Sequence, residues 1–282
     1  MLQPAEPLRS SVTTTRVTAL RDGARFDRTD RLATEEPMEI RAGGPGQEPA
    51  SVAITMRTPG NDFELAAGFL FTEGLVGSRE DVVSVNYCEL PSQEQRYNVV
   101  TVRLSGTFDP DGLKRNFHLT SSCGICGKTS LEQVAVRCSP VGPGPVVAGS
   151  VILSLPATLR DAQRIFEQTG GLHAGGLFDR TGRLLAIRED VGRHNAVDKL
   201  VGWALLAGDL PLAGAMLLVS GRVSFEIVQK AAVAGVPIVC AVSAPSSLAV
   251  NAAEGLGMTV VGFVRGQGFN VYTHPERVAT GR

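Results

Sequence analysis

Apolar and polar residues alternate through Val12–Leu20, a threonine-rich stretch, and again through Ser51–Arg57, Val82–Tyr87 and Tyr97–Leu104. Each segment reads as a half-buried strand, because successive side chains of a strand face opposite ways. A polar stretch ending in the turn cluster Ala42-Gly43-Gly44-Pro45-Gly46 separates the first two. Asn61 and, three residues on, Glu64 have the spacing of a capping box, which predicts a helix that turns Leu65, Phe69 and Leu70 inward and stops at Gly74. Cys88 falls at a strand end, before a polar turn at Pro91–Gln95, and reads as a packed or edge thiol. The N-terminal half is therefore α+β with short strands.

Leu131–Cys138 fits helix and strand equally well, and Ser139–Pro145 cannot hold either, with three prolines and two glycines in seven residues. The expected organisation is a poorly ordered start at 1–11, an α+β region at 12–145 and an α/β domain at 146–282. In the second half, Thr158 and Asp161 predict a helix start, with Leu159, Ala162 and Phe166 on one face and Gly170-Gly171 as its stop. A hairpin turning at Arg180-Thr181-Gly182 follows, then a helix carrying Val197, Leu200, Val201, Ala204 and Leu205 at helical spacing. The rest reads strand, helix, strand, helix, strand, over Ala215–Val219, Ser224–Ala234, Val236–Val242, Pro245–Leu256 and Met258–Val264. Strands that are apolar on both faces and alternate with helices predict a mostly parallel sheet covered on both sides.

Composition narrows the function. The chain has 282 residues, enough for one large core or two modest ones, and a net charge of −1, which argues against a nucleic-acid surface. No apolar run approaches the roughly 20 residues of a membrane span, and the N-terminus lacks the basic start and apolar run of a signal peptide. The expected location is the cytoplasm, where thiols stay reduced. Five cysteines, an odd number, argue against a stapling framework.

Two of those thiols stand out, Cys123 and Cys126 in Ser121-Ser122-Cys123-Gly124-Ile125-Cys126-Gly127-Lys128. Thiols with two residues between them form a disulfide, share a metal or pass sulfur between them, and each use needs a thiolate. Lys128 and Arg137 lie near enough in sequence to favour one, while Gly124 and Gly127 make a mobile loop the expected setting. Three other readings compete. Structural zinc would draw on His118 and Cys138 as further ligands. A stapling disulfide suits a secreted chain, and a phosphate loop ending in Gly127-Lys128-Thr129 would need glycine where Ser122 stands. No metal site is expected.

Five motifs in order carry a resemblance: the Ser121–Gly127 loop, Gly170-Gly171-Leu172-His173-Ala174, the run Arg188–Lys199 through Glu189-Asp190-Val191-Gly192-Arg193-His194-Asn195, Ser220-Gly221-Arg222-Val223-Ser224-Phe225-Glu226, and Ser243-Ala244-Pro245-Ser246-Ser247-Leu248-Ala249. From about residue 12 onward the chain resembles the formate dehydrogenase accessory sulfurtransferases, the FdhD family. The resemblance implies a cytidine-deaminase-like C-terminal fold and a homodimer. It implies a sulfur carrier that takes sulfur from a cysteine desulfurase as a persulfide on Cys123, helped by Cys126, and hands it to the molybdenum cofactor of formate dehydrogenase. The alternative is a non-catalytic chaperone that only holds the cofactor. Deaminase chemistry itself is not expected, because Gly175 stands where the catalytic glutamate of His-x-Glu belongs, and the Cys-x-x-Cys pair precedes His173.

The cofactor is expected at the carboxyl ends of the C-terminal strands, where ligands of open α/β sheets bind. Ser220-Gly221-Arg222 and Ser243–Ser247 lead into helices whose free N–H groups suit phosphate, and Arg222 and Arg265 add charge. The third strand end, Phe263-Val264-Arg265-Gly266-Gln267-Gly268, is similar to the family's stretch for bis-molybdopterin guanine dinucleotide. Glu189, Asp190, Arg193 and His194 read as an ion-pair network at a helix start, and His173 as a residue with no settled role.

Overall fold

A computed structural model of the chain describes residues 10–88, 97–109 and 139–279. Cys123 and Cys126, the Pro91–Gln95 turn and the ambiguous Leu131–Cys138 segment lie outside them. The N-terminal half runs β1 (Val12–Arg21), β2 (Ala24–Ala33), β3 (Glu36–Gly43), β4 (Ala50–Arg57), α1 (Asp62–Thr72), β5 (Val82–Tyr87) and β6 (Val99–Leu104). The C-terminal half continues with β7 (Val147–Ala148), α2 (Gly149–Ala162), α3 (Arg164–Thr169), β8 (His173–Phe178), β9 (Leu184–Asp190), α4 (Arg193–Ala207) and β10 (Met216–Val219). It ends with α5 (Phe225–Val233), β11 (Ile238–Ala241), α6 (Ser247–Gly255), β12 (Thr259–Arg265), β13 (Gly268–Val271) and β14 (Val278–Ala279).

Two strands occupy the stretch read as a polar connection. No residue of β2 is buried, so its sequence shows no buried face; it is held by ten register pairs with β1 around a left-handed Asp22-Gly23 turn. In β3, Met38, Ile40 and Ala42 point inward between polar residues, and the strand lies inside a four-stranded sheet ordered β4-β3-β6-β5. The helix expected after Asn61 forms, but not through a capping box. Asn61 adopts a left-handed φ of 58° without a side-chain cap, Asp62 accepts the Gly60 N–H at 3.2 Å, and Glu64 is drawn away to Arg188.

The helix expected to start at Thr158 begins at Gly149, where Ile152, Leu155 and Leu159 make one buried stripe despite Pro156 inside it. It breaks at Gln163, so Leu159 and Phe166 belong to two helices, the second started by Glu189, whose carboxylate accepts the N–H groups of Ile165 and Phe166 at 3.0 and 2.8 Å. The five elements expected between Ala215 and Val264 fall within two residues of expectation, whereas β8 begins four residues before Leu177 and the short strands β13 and β14 had no counterpart in the expectation.

The large sheet is ordered β13-β12-β11-β10-β8-β9. Its parallel part is β10-β11-β12, the strands joined by helices, while β8 with β9 and β12 with β13 are antiparallel because short turns join them, and β8 also runs against β10. The sheet is thus mixed, with a parallel centre. Alternate residues sort to its two faces: Met216 and Leu218 pack with Ile152, Leu155 and Leu159 of α2, whereas Leu217 and Val219 join the core of α1, α4, α5 and the N-terminal sheet.

Helices α1 and α4 cross with no side chain between them. A methyl group on Gly68 would lie 1.9 Å from the Asp198 carbonyl oxygen, and one on Gly202 1.8 Å from that of Glu64. Around this contact, Thr72 donates to Asp198 at 2.7 Å and Lys230 of α5 reaches Asp198 at 2.9 Å and Glu73 at 3.3 Å. Burial pulls the Lys230 pKa down, but the charges of Asp198 and Glu73 raise it further, so it stays a cation. We expect Gly68→Ala to cost on the order of 3 kcal/mol, because the helices must separate. Urea unfolding would show a lower midpoint with the slope unchanged.

Candidate functional site at the strand ends

The parallel strands β10, β11 and β12 finish at one edge, and backbone hydrogen bonds stitch their ends together. Val223 N–H donates to Ala244 at 3.3 Å, Ser246 N–H to Val223 at 2.9 Å, and Phe263 N–H to Ser243 at 3.1 Å. Ser220, Arg222, Ser243–Ser246 and the Phe263–Gly268 stretch, four separate positions in the sequence, are therefore neighbours. Helices α5 and α6 start at this edge, and Ser246 caps α6 by accepting the Ala249 N–H at 3.2 Å.

The predicted residues occupy different stations. Ser220 closes β10 onto β8, accepting the Ala174 N–H through its hydroxyl and donating its own N–H to Ala174, both at 2.9 Å. Its hydroxyl proton remains for a ligand. Arg222 is exposed. Phe263 holds a left-handed φ of 55° at a register shift between Gly262 and Arg265, a conformation a bulky residue adopts only when its surroundings impose it. The Arg265 guanidinium lies 5.3 Å from the centre of the Phe263 ring, and Gly266-Gln267 form the exposed turn into Gly268. Val264 is the exception: its side chain is fully buried in the core under α2, so only its backbone belongs to the edge.

Residues with no settled role in the sequence join the same edge. His194 Nε2 lies 3.0 Å from Ser224 Oγ and 3.4 Å from Glu226 Oε2, contacts between residues about thirty positions apart. The visible signal was Ser224-Phe225-Glu226 within the fourth motif. Burial pushes the Glu226 carboxyl upward, but hydrogen bonds from His194 and Ser224 outweigh it and leave the group at about 2. Gly221 packs against the His173 ring and Arg193, since a methyl there would lie 3.3 Å from His173 Nδ1 and 3.9 Å from Arg193 Cδ. Burial first, then the charges of Arg193 and His194, hold the His173 pKa below its ordinary 6.5, so the ring is neutral at pH 7. Arg193 Nε and Glu226 Oε1 are buried without a partner among the described residues.

The expected ion-pair network at the start of α4 exists, in altered membership. Asp190, fully buried, accepts the Gly192 N–H at 2.8 Å and Asn195 Nδ2 at 2.9 Å, and pairs with Lys199 at 2.7 Å. It also accepts the Thr58 N–H at 3.2 Å from the N-terminal half. Glu189 serves α3 instead. Among the described residues, no group of three or more His, Cys, Asp and Glu side chains is placed to hold a metal ion.

The edge gathers two helix N-termini and two exposed arginines, Arg222 and Arg265, an arrangement whose chemistry suits an anion. The model of the FdhD/NarQ family matches residues 33–279. The chain belongs to that family. The FdhD/NarQ relatives include proteins named sulfur carrier protein FdhD, from Mycolicibacterium paratuberculosis at 52% identity over 93% of this chain and 97% of that one. Another, from Streptomyces avermitilis, is 52% identical over 94% of each chain. The crystal structure of a formate dehydrogenase accessory protein from Desulfotalea psychrophila superposes with a TM-score of 0.74 at 26% identity, covering 96% of this chain and all of that one. The FdhD/NarQ fold is thus shared over nearly the whole length. No helix among the described residues is long and apolar enough to cross a membrane.

Two predictions follow the electrostatics. Glu226 ionises in the folded protein well below its ordinary 4.5, so its contribution to stability is complete above that value and is lost as pH falls toward about 2. Urea unfolding across that range is expected to show a shallower pH dependence in Glu226→Gln than in the parent. Lys199→Met leaves the buried Asp190 carboxyl without its ion-pair partner, at a cost of about 3–5 kcal/mol, measurable as a lowered unfolding midpoint at pH 7.

Proposed function

We propose that this chain is a cytoplasmic, homodimeric sulfurtransferase that matures formate dehydrogenase. A cysteine desulfurase loads sulfur onto Cys123 as a persulfide. Attack of the Cys126 thiolate on the Cys123 sulfur releases the outer sulfur as sulfide and leaves a Cys123–Cys126 disulfide, which a thiol reductant reopens. The acceptor is the molybdenum cofactor in its bis-molybdopterin guanine dinucleotide form, a transiently bound substrate.

The observation that carries the reading is the near-full-length likeness to relatives named as sulfur carriers, in a chain with two thiols that have two residues between them. The two cysteines among the described residues are poorer candidates. Cys240 is fully buried, with burial pushing its thiol up to about 12, and Cys88 is half-buried at the end of β5. For the nucleotide end of the cofactor, the groups we assign are the α5 and α6 N-termini, the Ser220 hydroxyl, Arg222 and the Phe263–Gly268 turn, with the exposed Arg265 as the phosphate's partner.

Incubated with desulfurase and cysteine, the protein should gain the mass of one sulfur atom, and Cys123→Ala should not. A Cys123→Ala variant that still carries sulfur and activates formate dehydrogenase would overturn the assignment. Full activation by a Cys123→Ala/Cys126→Ala double variant would favour the non-catalytic chaperone. Calorimetric titration with GDP should show binding weakened about tenfold in Arg265→Ala, the loss of one charge-assisted hydrogen bond, and unchanged in the double cysteine variant. The reverse pattern would move the nucleotide away from the strand ends.

A further inference from the structure

Helices α4 and α5 begin side by side, and one contact fixes how. His194, the second residue of α4, lies through Nε2 3.0 Å from the hydroxyl of Ser224, which precedes α5, and 3.4 Å from Oε2 of Glu226, the second residue of α5. Gly221 fits closely against the His173 ring and against Arg193, the first residue of α4. Residues from separate motifs thus bound one spot, next to the strand end at Ser220.

Two atoms at this spot lack the partner their chemistry requires. Arg193 Nε is a donor and Glu226 Oε1 an acceptor, both shielded from solvent and without a hydrogen bond among the described residues. They do not satisfy each other. Among the described residues the ion-pair partner of Glu226 is His194, so the guanidinium and the carboxylate stay farther apart than the roughly 4 Å of an ion pair. Shielding charged groups from water without a hydrogen bond is costly, so a pair of such groups in one place calls for an explanation. His194 holds the sister oxygen Oε2, which fixes the direction of Oε1. Neither Arg193 nor Glu226 is fully buried, so rotation of the two side chains opens both atoms to a ligand without moving a strand.

The missing partner has to donate to a carboxylate oxygen and accept from a guanidinium N–H, at two points held apart on two helices. A phosphate has no proton to give, and Glu226, ionised well below neutral pH, repels it. A sugar hydroxyl carries both functions on one atom and suits groups that converge, which these do not. A cyclic amide presents N–H and C=O side by side in one rigid plane, as the two points demand. The 2-amino-4-oxo edge shared by guanine and pterin is such an amide, with its amino group as a further donor toward the carboxylate. Adenine offers the reverse order, which sets an amino group against Arg193 and a ring-nitrogen lone pair against Glu226.

We infer that Arg193 and Glu226 form a recognition site for the cyclic-amide edge of a 2-amino-4-oxo heterocycle, a guanine or a pterin, with His194 positioning Glu226. The inference rests on the cofactor reading of the strand ends and adds a ring to its phosphates. Calorimetric titration of the full chain with GDP, ADP and neopterin, in the parent, Glu226→Gln and Arg193→Met, tests it; circular dichroism checks that each variant folds. If the ring is guanine, the parent prefers GDP to ADP by about tenfold or more and both variants close that gap. If it is pterin, the parent binds neopterin and both variants weaken it by about tenfold or more, while the ratio of GDP to ADP affinity stays put. A ratio and a neopterin affinity that both survive Glu226→Gln would sink the recognition site and leave the pairing of Arg265 with phosphate standing, as would a parent that binds GDP and ADP equally and neopterin not at all. A parent that binds none of the three would sink the cofactor reading together with the site.

Discussion

Two glycines meeting across a helix crossing govern how the halves of this molecule sit together. At Gly68 and Gly202 the backbones of α1 and α4 touch, and the side chains around that point are arranged as rungs: Glu64 with Arg188, Thr72 with Asp198, Lys230 with Glu73. Helix α4 begins at Arg193, so the contact lies about 13 Å along its axis from the turn that delivers Arg193 and His194 to the strand ends. The position of the edge is in this way referred to the N-terminal sheet through one close approach. Larger residues at either glycine would leave the sheet intact and still displace the edge.

Buried charge reinforces the same junction. Lys199 and Lys230, both almost fully buried, each find a carboxylate from the C-terminal half and an oxygen from the N-terminal half: Asp190 with the Thr58 carbonyl for one, Asp198 with Thr72 and Glu73 for the other. Pairs of this kind add little net stability against an apolar replacement, yet they penalise any docking that separates the partners. Their contribution is to alignment, and the apolar core around them supplies the binding strength.

What the sequence made legible follows from burial. Strands β10, β11 and β12 are apolar on both faces, and the helices between them keep strict spacing, so this part was read to within two residues. Strand β2 was not, because no residue in it is buried within one chain and its Arg- and Asp-rich sequence shows nothing to a periodicity argument. The start of helix α2 lies nine residues before the expected Thr158, because Thr158 and Asp161 mimic a start signal late in the helix. The strand-end segments were identified one at a time. Their stitching through Val223, Ala244, Ser246 and Phe263, and the contact of His194 with Glu226, join distant residues that no local pattern connects.

The burial of Cys240 bears on how the chemistry of this chain is observed. In the middle of β11, with its thiol held almost entirely protonated at neutral pH and no solvent contact, it is invisible to alkylating reagents while the fold persists. Reagent consumed by the native protein therefore reports on thiols other than Cys240, whose own reaction becomes a readout of unfolding.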